Sequence, residues 1–167
     1  MESNPEESAM SITLQPETAL PIPPSVGLMT EVEFLEKHGG ELGADLVRGR
    51  LERQSMPGGK HGRACLKLAM YVALFAEANA LGRTCTNDTF VRIGQAALRG
   101  ADVAFLSYAQ WPAEIEFPDG PLPVTPELVG EVKSPSDSWT KIFYVGSELI
   151  IHDLLPGFSV PVGSLFR

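Results

Sequence analysis

Thiols are scarce: the chain has two cysteines, Cys65 and Cys85, and neither belongs to a Cys-x-x-Cys pair. That argues against a disulfide framework or a cysteine-built zinc site and favours free thiols in a reducing compartment, with a single Cys65–Cys85 bridge left for a structure to decide. No apolar run approaches the length of a membrane span. The opening "MESNPEESAM" has neither the basic nor the apolar region of a signal peptide, so a cytoplasmic protein is expected. Positive charge is also short, with 13 Lys and Arg against 21 Asp and Glu and a net charge of −8. This argues against a broad basic surface for nonspecific nucleic-acid binding, and any such contact needs a local basic patch or bridging cations. No internal repeat is visible. The Gly58-Gly59 pair is no phosphate loop, because the Lys-Ser/Thr ending of that motif is missing.

The 167 residues, 44% hydrophobic, suit one domain with a real core. Residues 1–27 are rich in Pro, Ser and Glu and read as a flexible arm, so a single domain is expected over 28–167. "TEVEFLEK" places Thr30 three residues before Glu33, the spacing of a capping box, and predicts a helix over 30–38 closed by Gly39-Gly40. "ADLVRGRLERQ" at 44–54 predicts a hairpin turning at Arg48-Gly49, followed by the Gly-rich loop "MPGGKHG" at 56–62. The longest helix is expected from about His61 to Ala80, and its wide apolar surface implies burial on more than one side.

Beyond that helix the period changes to two. Strands are predicted at 83–93, 100–107 and 127–132, with a long Pro-rich loop at 108–126 and two short strands in "YVGSELIIHDL" and "GFSVPVGSLF". The order of helix, hairpin, helix and strands is an α/β layout.

Chemistry concentrates in "GEVKSPSD" at 130–137. Glu131 and Lys133 are two residues apart and so share one face of a strand. Asp102 begins another inner strand, and if the two strands are neighbours, Asp102 and Glu131 can converge on one Mg²⁺ or Mn²⁺ ion, which prefers carboxylate oxygens. Lys133 would then orient or deprotonate a water, or stabilise a phosphoryl transition state. Spacing alone favours the plainer alternative, a Glu–Lys pair on an exposed strand end.

The segments "MPGGKHG", "NDTFVR", "RGADVAF", "ELVGEVKSPSD" and "LLPGFSVPVGSLF" occur in the order seen in a large bacterial family. From Glu31 to Phe166 the chain resembles the Uma-two group of restriction-endonuclease-like proteins, within the PD-(D/E)XK nuclease superfamily. The resemblance implies a mixed β-sheet flanked by helices. It also implies a Mg²⁺-dependent DNA endonuclease in which Asp102 and Glu131 hold the metal and Lys133 assists water attack, which reverses the balance on the Glu–Lys pair.

His61 matches the histidine of the family's Gly-Gly-x-His-Gly loop and reads either as a contact to phosphate or metal-bound water, or as a helix-start residue bonded to backbone. Asp88 matches an acidic family position, with a turn aspartate as the alternative. Lys60, Arg63 and Lys67 form a basic stripe that could hold DNA phosphates, although a solvated basic face is the simpler reading. Trp111 and Trp139 suit packing better than base stacking, and His152 reads as structural.

Three positions depart from the family pattern. Ala101 replaces a proline, Arg50 stands where the first hairpin usually has a glutamate, with Glu52 nearby, and the tail after "SPSD" is short. The helix and sheet strands that the family has there are missing, which would leave a sheet face exposed and predicts a homodimer or larger assembly. Arg50 and the acidic net charge keep a second reading open, an inactive nuclease-fold protein acting as an assembly or binding module. A small-ligand binding module is a weaker third.

Overall fold

Thr30 caps a helix as its spacing from Glu33 predicts. In the computed structural model, which describes residues 9–14, 27–94, 96–133, 141–144, 147–151 and 153–165, the Glu33 amide donates to the Thr30 hydroxyl at 3.2 Å. The Glu33 carboxylate in turn accepts from the Thr30 amide at 2.9 Å. The helix that follows, α1 (Glu31–His38), buries Phe34 against Ala44, Leu46 and Leu98. Replacing Thr30 with Ala removes the hydroxyl's bonds to the Glu33 amide and carboxylate, leaves the amide donor in place, and is expected to cost about 1 kcal/mol, read as a lower urea midpoint at unchanged slope.

The predicted hairpin is formed by β2 (Ala44–Val47) and β3 (Arg50–Arg53). Its two-residue turn carries φ of 51° at Arg48 and 77° at Gly49, the pair of positive values that matches the twist of the flanking strands. Glycine is required at the second position for space as well, since a Cβ there would lie 2.7 Å from the Leu28 Cβ.

The long helix, α2, runs Gly59–Ala78 and buries Ala64, Leu68, Ala69, Val72 and Ala76. Its apolar width predicts burial on more than one side. The structure corrects this: Leu66, Met70 and Leu74 remain 67%, 43% and 60% exposed, because no described element lies over that ridge.

Strands β4 (Gly82–Arg92) and β5 (Leu98–Ser107) pair along nearly their whole lengths. The other edge of β5 is shared, with Leu98 pairing Leu46 of β2 at one end and 103–105 pairing 128–130 of β6 (Leu128–Lys133) at the other. Every pairing among the described residues is antiparallel, so the sheet expected to be mixed is antiparallel within an α/β fold. Consecutive neighbours such as β2–β3 and β4–β5 are joined by hairpins, which make antiparallel pairs.

The arm expected over 1–27 contains a strand. Residues 9–14 form β1 (Ala9–Leu14), which lies between β6 and β7 (Lys141–Tyr144) and pairs with both. "AMSITL" has the alternation of a strand, but it sits in a polar, proline-rich stretch and acquires its structure from distant partners. Both edges of β6 are thus paired by the chain itself, by β5 on one side and β1 on the other. A separate two-stranded sheet, β8 (Glu148–Ile150) with β9 (Ser159–Pro161), matches the two strands predicted in the tail, whereas β7 was not expected.

One face of the large sheet packs on α2 through Val103, Phe105, Leu128 and Val132, joined by Leu149, Leu155 and Phe158 from the C-terminal region. The Pro-rich loop at 108–126 covers the other face. Leu122 is buried there, Trp111 stacks on Phe117 at 6.0 Å, and the Arg83 guanidinium lies 4.4 Å from the Phe117 ring centre. Trp111 is therefore a packing residue, as expected. Trp139 and His152 lie outside the described residues. Among the described residues no helix is long and apolar enough to cross a membrane.

Candidate functional site

Backbone irregularity on β4 and β5 assembles the site. The β4–β5 register shifts between Thr86 and Thr89, and the two residues between, Asn87 and Asp88, adopt φ of 64° and 57°. This is a bulge, and bulges commonly re-aim the side chains opposite them. Gly100 accommodates it, because a Cβ there would meet the Asp88 Cβ at 3.2 Å. The Thr86 hydroxyl pins the kink by donating to the Asp102 carbonyl at 2.6 Å.

On the other side, the β5–β6 ladder ends at Val103 and Gly130. One step further, the Val132 amide donates to Asp102 Oδ2 at 2.7 Å, so a carboxylate replaces a main-chain carbonyl in satisfying that donor. Asp102 Oδ1 lies 3.1 Å from His61 Nε2, which reaches it from the first turns of α2. Both ring and carboxylate are partly exposed, at 23% and 14%. Cys65 follows His61 by one helical turn, and one ligand atom from each of His61, Cys65 and Asp102 lies within 4.8 Å of the others.

Glu131 faces the same electrostatic environment. Burial, then repulsion from Asp102, pushes its carboxyl up to about 8, with Asp45 and Asp88 acting in the same direction and Arg99 opposing. Burial likewise pushes the Cys65 thiol up, helped by Asp102 and Glu131. Asp102 opposes the ionisation of Glu131, a conflict that a bound cation would relieve, and two carboxylates are the donor type a divalent ion takes.

The structure sets His61 against Asp102 and leaves Glu131 within reach of the Asp102 charge. Lys133 occupies β6 two residues past Glu131, opposite Ala9 of β1, and its side chain lies outside what is described. Asp88 is a bulge aspartate, as the turn reading has it, and its charge raises the Glu131 carboxyl. The basic stripe divides. Lys60 and Arg63 are exposed, while Lys67 Nζ donates to the Ser164 carbonyl at 2.8 Å and ties α2 to the C-terminal turn.

Two residues escaped the sequence reading. Cys65 looked like an inert thiol, although its i+4 spacing from His61 was the available signal. Both cysteines are free. Asp45 is the other. It is 3% exposed and accepts from the Gly100 amide at 2.9 Å, from Gln54 at 2.5 Å and from Arg99 at 3.3 Å. Its signal was alternation, because Ala44 and Leu46 both face the α1 cluster and leave Asp45 for the opposite side. Arg50 and its neighbour Glu52 are exposed on β3, so the buried carboxylate of that hairpin is Asp45.

The model of a family described as "Uma2: Putative restriction endonuclease" matches residues 31–143. Among solved structures, the chain is similar to a crystal structure described as a "putative nuclease belonging to DUF820" from Anabaena variabilis ATCC 29413. The TM-score is 0.60 at 13% identity, with 83% of this chain and 97% of that one covered, a likeness of fold. No curated protein matches the sequence.

Proposed function

The chain belongs to the Uma2 family of putative restriction endonucleases, and from that premise we propose that it hydrolyses phosphodiester bonds of DNA with Mg²⁺ or Mn²⁺ held by Asp102 and Glu131. The observation that carries this reading is the Asp102 carboxylate, fixed by the Val132 amide at 2.7 Å and by His61 at 3.1 Å, beside a Glu131 whose ionisation that same carboxylate opposes. A bound divalent ion would supply Lewis acidity to the scissile phosphate. The chain's own groups do the rest. His61 and Val132 orient Asp102 so that one oxygen stays committed to the backbone. Glu131 gives up its proton when a cation shares the pocket. Lys133, next but one on the same strand, places positive charge where the phosphoryl group becomes more negative or orients the attacking water.

The exposed Lys60 and Arg63 at the start of α2 offer local positive charge for DNA phosphates on an otherwise acidic chain. Association into a homodimer is supported by the exposed Leu66, Met70 and Leu74 ridge of α2.

Supercoiled, linear and single-stranded DNA incubated with the purified chain and Mg²⁺ or Mn²⁺ will be cut, and Glu131→Ala and Lys133→Ala will each abolish cutting. Absence of cleavage of every DNA form, together with no divalent-ion binding by calorimetry, overturns the enzymatic reading. The second reading, an inactive member of the fold serving assembly, is favoured by one observation: Arg50 is an exposed base where an acidic residue is the family pattern.

A further inference from the structure

A hard-ion site built from carboxylates does not need sulfur, yet the Cys65 thiol shares this pocket with His61 and Asp102. We propose that His61 Nε2, the Cys65 thiolate and Asp102 Oδ1 form a three-ligand site for a borderline-soft divalent cation, Zn²⁺, with its fourth position open. The site shares Asp102 with the hydrolytic pair and does not depend on hydrolysis.

The donor set is the first argument. Imidazole nitrogen, thiolate and one carboxylate oxygen are the ligand types Zn²⁺ selects, whereas Mg²⁺ has no use for sulfur. Geometry is the second. Ligands of one tetrahedral Zn²⁺ stand roughly 3.3–3.6 Å apart, given bonds of about 2.0–2.3 Å. The His61 Nε2 to Asp102 Oδ1 separation is already 3.1 Å, and the sulfur lies within 4.8 Å of a His61 ring nitrogen and an Asp102 carboxylate oxygen, so the set needs to tighten by only about 1 Å.

Rigidity is the third argument. His61 and Cys65 project from one 20-residue helix at i and i+4. Asp102 is held from behind by the Val132 amide on Oδ2, leaving Oδ1 for a ligand. Zinc sites generally show such an outer contact, fixing the carboxylate's orientation. On binding, the thiol proton leaves to solvent as the sulfur–metal bond forms, and no electrons are transferred. Three protein ligands with one open position is the arrangement of reactive rather than structural zinc sites.

Co²⁺ is the probe, because its bond to thiolate gives a charge-transfer absorption in the near ultraviolet. The full-length, reduced, metal-free chain titrated with Co²⁺ will show that band with tetrahedral visible absorption, saturating at one ion per chain and displaced by Zn²⁺. Cys65→Ser will lose the band and weaken Zn²⁺ binding by at least about tenfold. Cys85→Ser, on a strand whose thiol packs in the other cluster, will keep the band. His61→Ala will weaken Co²⁺ binding while retaining sulfur absorption, which keeps the test decisive should Cys65→Ser fold poorly. A titration without the sulfur band, a band that survives in Cys65→Ser, or one that vanishes in Cys85→Ser overturns the proposal.

Discussion

Without divalent cations the protein will lose stability as pH rises from about 5 to about 8, and Glu131→Gln will remove most of that loss. The sign follows from Glu131, whose carboxyl is pushed from an ordinary 4.5 up to about 8 by burial first and by Asp102 second. Below 4.5 the group is neutral in both folded and unfolded chains, so its stabilising contribution is intact. Between those values the unfolded chain releases the proton while the folded chain retains it, and stability falls until the folded group ionises near 8. At about 1.4 kcal/mol per pH unit, the full loss is on the order of 4–5 kcal/mol.

The groups that set the field around Glu131 come from three strands: Asp102 and Arg99 on β5, Asp45 on β2 and Asp88 on β4. Mg²⁺ should restore stability mainly at the alkaline end, where the carboxylate pair is charged, and little near pH 5. Urea unfolding at several pH values, with chelator and with Mg²⁺, measures both effects. If the wild type and Glu131→Gln show the same pH dependence with chelator, the crowded-carboxylate account of the site fails.

That field was only half legible beforehand. Asp102 and Glu131 stood out because each sits in a run of β-forming apolar residues, where an acid needs a reason to be tolerated. The capping box at Thr30, the Arg48-Gly49 turn and α2 were legible for a similar reason: each is dictated by residues within a few positions of one another. β1 was not, since "AMSITL" becomes a strand only through pairing with residues well over a hundred positions away, and its flanks have the composition of a tail. The bulge at Asn87-Asp88 was hidden as well. Its two left-handed residues depend on what β5 places opposite them, and Gly100 is the visible trace of that demand. Asp45 and Cys65 were missed because each looks ordinary within its own element; only the juxtaposition of β2, α2 and β5 makes them neighbours of the charged pair.

The same juxtaposition sets function against stability at Asp102. Asp102→Asn is expected to lower Mg²⁺-dependent DNA cleavage by at least about a thousand-fold, corresponding to several kcal/mol of metal-supplied stabilisation. The substitution is nearly isosteric. The amide oxygen can still accept from the Val132 N–H, and the new NH₂ can face His61 Nε2 in the ring tautomer that accepts there. What disappears is the charge that opposes ionisation of Glu131 and that, on the proposed reading, would hold the metal. With that charge gone, Glu131 falls back toward its ordinary value, although burial still raises it. At pH 8 in chelator, Asp102→Asn should therefore be more stable than the wild type by on the order of 1 kcal/mol, while near pH 5 the two should be alike. A merely disruptive substitution would lose stability at both pH values along with activity. Paired cleavage assays and urea curves separate the cases: a variant that still cuts DNA, or one that gains nothing at pH 8, shows that Asp102 does not carry the charge on which the proposed chemistry rests.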